Sequence, residues 1–166
     1  ILCDVAPRDG LQNQPVQVST TDKLALLGLL HDAGVRFVEA TSFVSPKAVP
    51  QMADADAVMR GAITLPELRA LGLLMNEQGY ERARAAGTRA ITVVVVVSES
   101  LALKNNRRTA QETLETAQRI VALARPDGVY TRVCLATAWH CPYDGKIDRG
   151  RVLAFADEVW AMGVDE

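Results

Sequence analysis

Hydrophobic and polar positions along the chain change period several times, and each change marks an element. "ILCDV" (1–5) is a short apolar run that reads as a first strand. From about Asp22 to Ala33 the pattern is helical. The cluster Ser19 to Thr21 offers capping oxygens at its start, and Gly34 suits the left-handed turn at its end. "VRFVEATSF" is a second strand, and "PKAVPQMADADAVMRGA" a loop running into a helical stretch. "LRALGLLM" is a weaker strand candidate, because Leu and Ala discriminate poorly between strand and helix. "EQGYERARAAG" is a short helix with Gly79 as its weak point.

"TRAITVVVVV" is uninterrupted and β-branched, as befits a strand buried on both faces. The next helix starts at Thr109, with Glu112 three residues on in capping-box spacing. Leu114, Ala117, Val121 and Ala124 share one face of it, and Pro126 marks its end. "VYTRVCLATA" is a fifth strand. Asp148 then caps a last helix through Val152, Phe155 and Val159.

"DAGVRFVEA", "AAGTRAITV" and "AMGVDE" repeat one theme: a helix end, a glycine and a strand start. A sixth strand is therefore expected to begin at the last residues. Strand–helix alternation implies a parallel sheet with helical crossovers. A doubly wound sheet and a (β/α)8 barrel both fit that alternation, the barrel needing about 250 residues. No GxGxxG follows the first strand, which disfavours a dinucleotide fold. The expected class is α/β, a parallel (β/α)8 TIM barrel. Residues 1–166 would then be the N-terminal portion of a single barrel domain, about five strand–helix units. An unclosed sheet exposes two edges, so a polypeptide of this length alone is expected to be unstable, aggregation-prone or inactive.

Composition narrows the function classes. The 166 residues carry a formal charge of −2, with no basic footprint for nucleic acid and no polybasic patch for a membrane surface. "ITVVVVV" is far too short to span a bilayer. Cys3, Cys134 and Cys141 are odd in number and irregular in spacing, which argues against a disulfide framework and for a reducing compartment. No signal or transit peptide is visible; the bacterial cytoplasm is the expected location, with the mitochondrial matrix as the eukaryotic counterpart.

In either α/β architecture ligands bind at the carboxyl ends of the strands. The polar residues there are Arg8, Asp9 and Gln12, then Glu39, Thr41 and Ser42, then Asn76, then Ser98 and Glu99, then His140 and Cys141. Asp9 is a hard oxygen ligand suited to Mg²⁺ or Mn²⁺, yet on local sequence "PRDG" reads first as a standard turn. Arg8 offers a donor fork to a carboxylate or a developing enolate oxygen, or else a surface ion pair. Glu39 interrupts an apolar run, so it needs a partner, for which Arg8 is a candidate, or a ligand. Gln12 reads as a solvated loop amide. His140 has no second His or Cys at zinc-ligand spacing, and Cys141 has no paired base, so it reads as a packed thiol. His31 is a helix-end or satisfied core histidine. "NNRR" (105–108) reads as a solvated loop, with phosphate binding as its functional alternative.

"VAPRDGLQNQ", "VEATSFVSPKAVPQMADADAVM" and "CPYDGKI" together resemble 3-hydroxy-3-methylglutaryl-CoA lyase, of the metal-dependent TIM-barrel lyases and synthases that work through enolates. The resemblance implies a divalent metal, Mg²⁺ or Mn²⁺, and an acyl-CoA substrate. It implies retro-aldol cleavage to acetyl-CoA and acetoacetate, a step of leucine degradation and ketone-body formation, and a homodimer as the full-length protein. A related 3-hydroxyacyl-CoA such as citramalyl-CoA is the alternative substrate, and a non-catalytic interaction module the alternative class. By the same resemblance Asp9 would bind the metal and Arg8 would stabilise the enolate oxygen. Gln12 and Glu39 would shape the substrate pocket and hold Arg8, and Ser42 would be a further pocket residue. The family's His-x-His pair, later Asn and catalytic Cys have no counterpart in residues 1–166; Cys141 is not that cysteine. His140 stands where the family tends to have Gly.

Overall fold

Asp4 is where the first apolar run meets the sheet. Its N–H donates to the Phe37 carbonyl at 3.0 Å, and its own carbonyl accepts from the Glu39 N–H at 2.9 Å. The computed structural model describes residues 2–166; Ile1, the first residue of the expected strand, lies outside the described residues. Among the described residues, 2–5 thus contribute one parallel bridge, Asp4 to Val38, and no strand. The local reason is chemical. The Asp4 carboxylate accepts from the Ala6 N–H at 2.8 Å, and Pro7 has no N–H to continue a ladder, so the chain turns at once into the π-helical segment Ala6–Gly10.

The remaining elements follow in order: α1 (Thr20–Asp32), β1 (Phe37–Ser42), a 3₁₀ turn (Pro50–Met52), α2 (Ala55–Ala62), β2 (Arg69–Leu74), α3 (Glu77–Ala85), β3 (Ala90–Val96), α4 (Glu99–Asn106), α5 (Ala110–Ala124), β4 (Tyr130–Ala136), β5 (His140–Cys141), β6 (Gly145–Lys146) and α6 (Arg149–Ala161). The sheet runs in chain order, β1-β2-β3-β4, with helix between successive strands. That order is the mark of parallel α/β crossovers. β1 and β2 pair in parallel from Phe37 opposite Arg69 to Ser42 opposite Leu73, with a register slip between Glu39 and Thr41.

The chain divides into two compact units, one of residues up to Leu74 with Gln78–Thr92, the other of Met75–Glu77 with Val93–Glu166. In the first, all six β1 residues are buried, and Leu27, Met52, Val58, Met59 and Leu71 fill the space around them. Gly72 is required on β2: a Cβ there would stand 2.6 Å from the Phe43 ring. Ser19 caps α1 through the Asp22 N–H at 3.1 Å, as the Ser/Thr cluster implied.

In the second unit, α5 packs the expected apolar face, including Leu114, Ala117, Val121 and Ala124, and Thr109 with Glu112 forms a complete capping box. Two expectations change here. "NNRR" is not a free loop. Asn105 and Asn106 end α4, and Arg107 takes the left-handed cap position at φ 53°. That helix buries only Ala102, so no apolar stripe announces it. His140 and Cys141 do not extend the fifth strand. β4 stops at Ala136, Thr137 turns at φ 56°, and β5 and β6 form a separate antiparallel hairpin around Gly145 at φ 71°. After α6, the Asp165 N–H donates to the Thr131 carbonyl at 2.9 Å, so the last residues run onto β4 as the repeat implied.

Candidate active site

The tight turn after Asp4 places Arg8 against Glu39, the third residue of β1, with Asp9 at its side. The Arg8 Nε donates to Glu39 Oε2 at 2.7 Å, and Nη2 lies 2.6 Å from the same oxygen. Nη1 donates to Asp9 Oδ1 at 2.7 Å. A guanidinium carries five N–H donors, more than these three contacts engage. Exposure grades across the trio: the side chain of Glu39 is 3% exposed, Arg8 15% and Asp9 56%. A buried carboxylate needs a charged partner, and the sequence expectation that Arg8 supplies it holds. The result is an arginine anchored from beneath by Glu39, with a solvent-facing carboxylate at its side.

Gln12 stands one helical turn on. Its Oε1 is buried and has no hydrogen-bond partner among the described residues. Glu39 is therefore the residue that holds Arg8, while the Gln12 carbonyl oxygen is an acceptor without a donor. An orphaned buried acceptor costs about 1–3 kcal/mol, so it stands as a position for a donor from a ligand or water. Ser42 is fully buried at the end of β1, its hydroxyl 3.5 Å from the Leu73 carbonyl oxygen. Asp9 fits a divalent cation as one hard oxygen donor. Among the described residues no group of three or more His, Cys, Asp or Glu stands together, so these residues do not complete a ligand set.

Sequence reasoning missed Lys23. It is 3% exposed, and its Nζ donates to Asp54 Oδ1 and to the Gln51 carbonyl, both at 2.6 Å. Its spacing was the signal: Lys23 lies four residues before buried Leu27, on the inward face of α1.

In the second unit, Cys141 is fully buried, consistent with a packed thiol, and its sulfur lies 2.8 Å from Ser98 Oγ. Ser98 caps α4 through the Leu101 N–H at 3.2 Å and lies 2.7 Å from Asp144 Oδ2. Burial pushes the thiol up, but Ser98 and the backbone N–H groups of Asp144 and Tyr143 outweigh it and hold it below its ordinary value. Hydrogen bonds from Ser100 and Ser98 hold the Asp144 carboxyl below the usual aspartate value. His140 is exposed on the hairpin, and His31 Nε2 lies 2.9 Å from the Pro66 carbonyl oxygen.

The site is thus an anchored arginine with an adjacent carboxylate, in the turn that follows the parallel bridge at Asp4. The HMGL-like family model matches residues 1–166, and the chain belongs to that family. The mitochondrial hydroxymethylglutaryl-CoA lyase of Mus musculus is 37% identical over 99% of this chain and 51% of its own length. The solved HMG-CoA lyase of Brucella melitensis is 38% identical with a TM-score of 0.94, covering 99% of this chain and 58% of that one. That of Acinetobacter baumannii, solved in complex with coenzyme A and 3-methylmalate, is 31% identical with a TM-score of 0.92, covering 98% and 53%. The chain spans about half the length of the relatives it matches, so its sheet corresponds to about half of a lyase TIM barrel. No helix among the described residues is long and apolar enough to cross a membrane.

Proposed function

We propose that the full-length protein is a metal-dependent carbon–carbon lyase that cleaves 3-hydroxy-3-methylglutaryl-CoA to acetyl-CoA and acetoacetate. The observation that carries the reading is Arg8 held by Glu39 at 2.6–2.7 Å, with Asp9 alongside. In the reaction a base removes the proton of the 3-hydroxyl, and the C2–C3 bond breaks. Its electron pair passes into the thioester as an enolate, C3 becomes the ketone of acetoacetate, and a proton on C2 completes acetyl-CoA.

Arg8 faces the growing negative charge on the thioester oxygen. Its position is fixed beforehand, so no reorganisation is needed as charge develops. Glu39 keeps the fork oriented, and Gln12 offers its orphaned oxygen to a donor of the substrate. Asp9 would contribute one oxygen to a Mg²⁺ or Mn²⁺ ion, which when bound polarises the substrate oxygens. Residues 1–166 form the N-terminal portion of a single barrel domain in this reading. The assembly is a homodimer, and the compartment is a reducing one, the bacterial cytoplasm or the mitochondrial matrix.

The test is an assay of the full-length protein with Mg²⁺ and with Mn²⁺ against several 3-hydroxyacyl-CoA esters, citramalyl-CoA among them. Acetoacetate and acetyl-CoA in equal amounts are expected from the methylglutaryl ester. Arg8→Gln should lower kcat by about 10²–10³, the scale of losing an oxyanion donor. No turnover of that ester, or an Arg8→Gln variant as fast as its parent, would refute the proposal.

A further inference from the structure

We infer that Gln17 and Gln51 form a reciprocal amide clamp that positions the loop bearing Asp9 and Gln12; the inference rests on the lyase reading of that loop. The segment after the Arg8 turn and the segment after β1 are stitched in both directions. Gln17 Nε2 donates to the Pro50 carbonyl at 2.8 Å, and Gln51 Nε2 donates to the Gln14 carbonyl at 2.9 Å. Beneath the stitches, Lys23 holds the Gln51 carbonyl, and Lys23 and Thr20 hold the two oxygens of Asp54 at 2.6 and 2.7 Å.

The connection continues to the site. Gln14 Nε2 donates to the Gly10 carbonyl at 3.1 Å, Asn13 Nδ2 reaches the Asp9 carbonyl at 3.3 Å, and the Gln14 N–H bonds the Leu11 carbonyl at 3.2 Å. Fixing Gln14 therefore fixes Gly10, the residue after Asp9, and Leu11, with Gln12 enclosed in the same turn. The Gln14 carbonyl lies outside helix and sheet and needs a donor, the Pro50 carbonyl accepts a second one beside the Ala53 N–H, and glutamine supplies both without adding charge beside a substrate loop. The buried Lys23–Asp54 pair sets the floor on which the stitches rest. Gln17 and Gln51 are positioning residues that do not touch the reacting atoms.

The test uses the full-length protein and the neutral, near-isosteric variants Gln17→Met and Gln51→Met, with Gln51→Glu as a second shape-matched variant that cannot donate. Each should quicken amide exchange across residues 10–14 by about three- to tenfold, the scale of one such bond. KM for the acyl-CoA ester should rise about threefold or more with kcat within about twofold, as expected when ground-state positioning is lost. A merely structural loss lowers the folded fraction, and so kcat, at constant KM. Unchanged exchange across 10–14 in either Met variant overturns the clamp. Quickened exchange with unchanged KM overturns the positioning role. A parent enzyme that turns over no acyl-CoA ester removes the lyase reading, and the exchange measurement alone then decides the clamp.

Discussion

Replacing Arg8 with Met should destabilise the protein, and replacing Glu39 with Gln in the same background should restore much of the loss. Arg8→Met deletes two contacts of 2.6–2.7 Å from a carboxylate whose side chain is 3% exposed. Breaking a buried ion pair from one side costs about 3–5 kcal/mol, because the remaining charge stays desolvated. Arg8 itself is 15% exposed, so some solvent reaches the vacated space, and the lower figure of about 3 kcal/mol applies. Glu39→Gln in that background removes the stranded charge and keeps the shape, and should return about 1–2 kcal/mol. Glu39→Gln alone should cost about 1 kcal/mol, since Arg8 retains Asp9. Urea unfolding of the full-length protein reads all three variants. With a slope of about 3 kcal/mol/M, Arg8→Met moves the midpoint down by about 1 M. The four proteins close a double-mutant cycle. An Arg8→Met midpoint within about 0.2 M of the parent, or a double variant as unstable as the sum of the singles, would refute the buried-pair argument.

Two further outcomes follow from the geometry. Asp144 has a folded pKa below its ordinary 3.8, so its contribution to stability is present above that value and is lost as pH falls through the folded one. A carboxyl ¹³C titration should give a midpoint below 3.8, and Asp144→Asn should abolish acid-induced loosening of the Ser100 N–H; a midpoint at or above the ordinary value contradicts the assignment. Gly72→Ala would put a Cβ 2.6 Å from the Phe43 ring and should cost about 1–3 kcal/mol, seen as a lowered thermal midpoint; an unchanged midpoint would mean that the ring moves aside freely.

Elements with strong periodicity or explicit caps were legible in the sequence. α5 announced itself through Thr109, Glu112 and an apolar face, and β3 through its valines. α4 did not, because a helix that buries one alanine leaves no stripe and depends on the Ser98 cap for definition. The first strand was overread. Four apolar letters around Asp4 do not reveal that its side chain bends the chain at Ala6. At the site, the cost of a charge inside an apolar strand identified Glu39, and Arg8 was the partner it needed. The spacing of Lys23 from Leu27 marks its inward face, but its partners, Gln51 and Asp54, lie 28 and 31 residues away, and no local pattern encodes those contacts.

Ser98 owns a single hydroxyl proton and has already accepted the Leu101 N–H. It nevertheless faces both the Cys141 sulfur and the Asp144 carboxylate at hydrogen-bonding distance. The proton can serve one anion at a time. When it points to Asp144, the sulfur loses that donor and keeps the Tyr143 N–H at 3.4 Å. When it turns to a thiolate, the carboxylate loses a donor. A chemical change at a sulfur hidden from solvent therefore reaches the Asp144 carboxylate and the first turn of α4 through one rotating O–H bond.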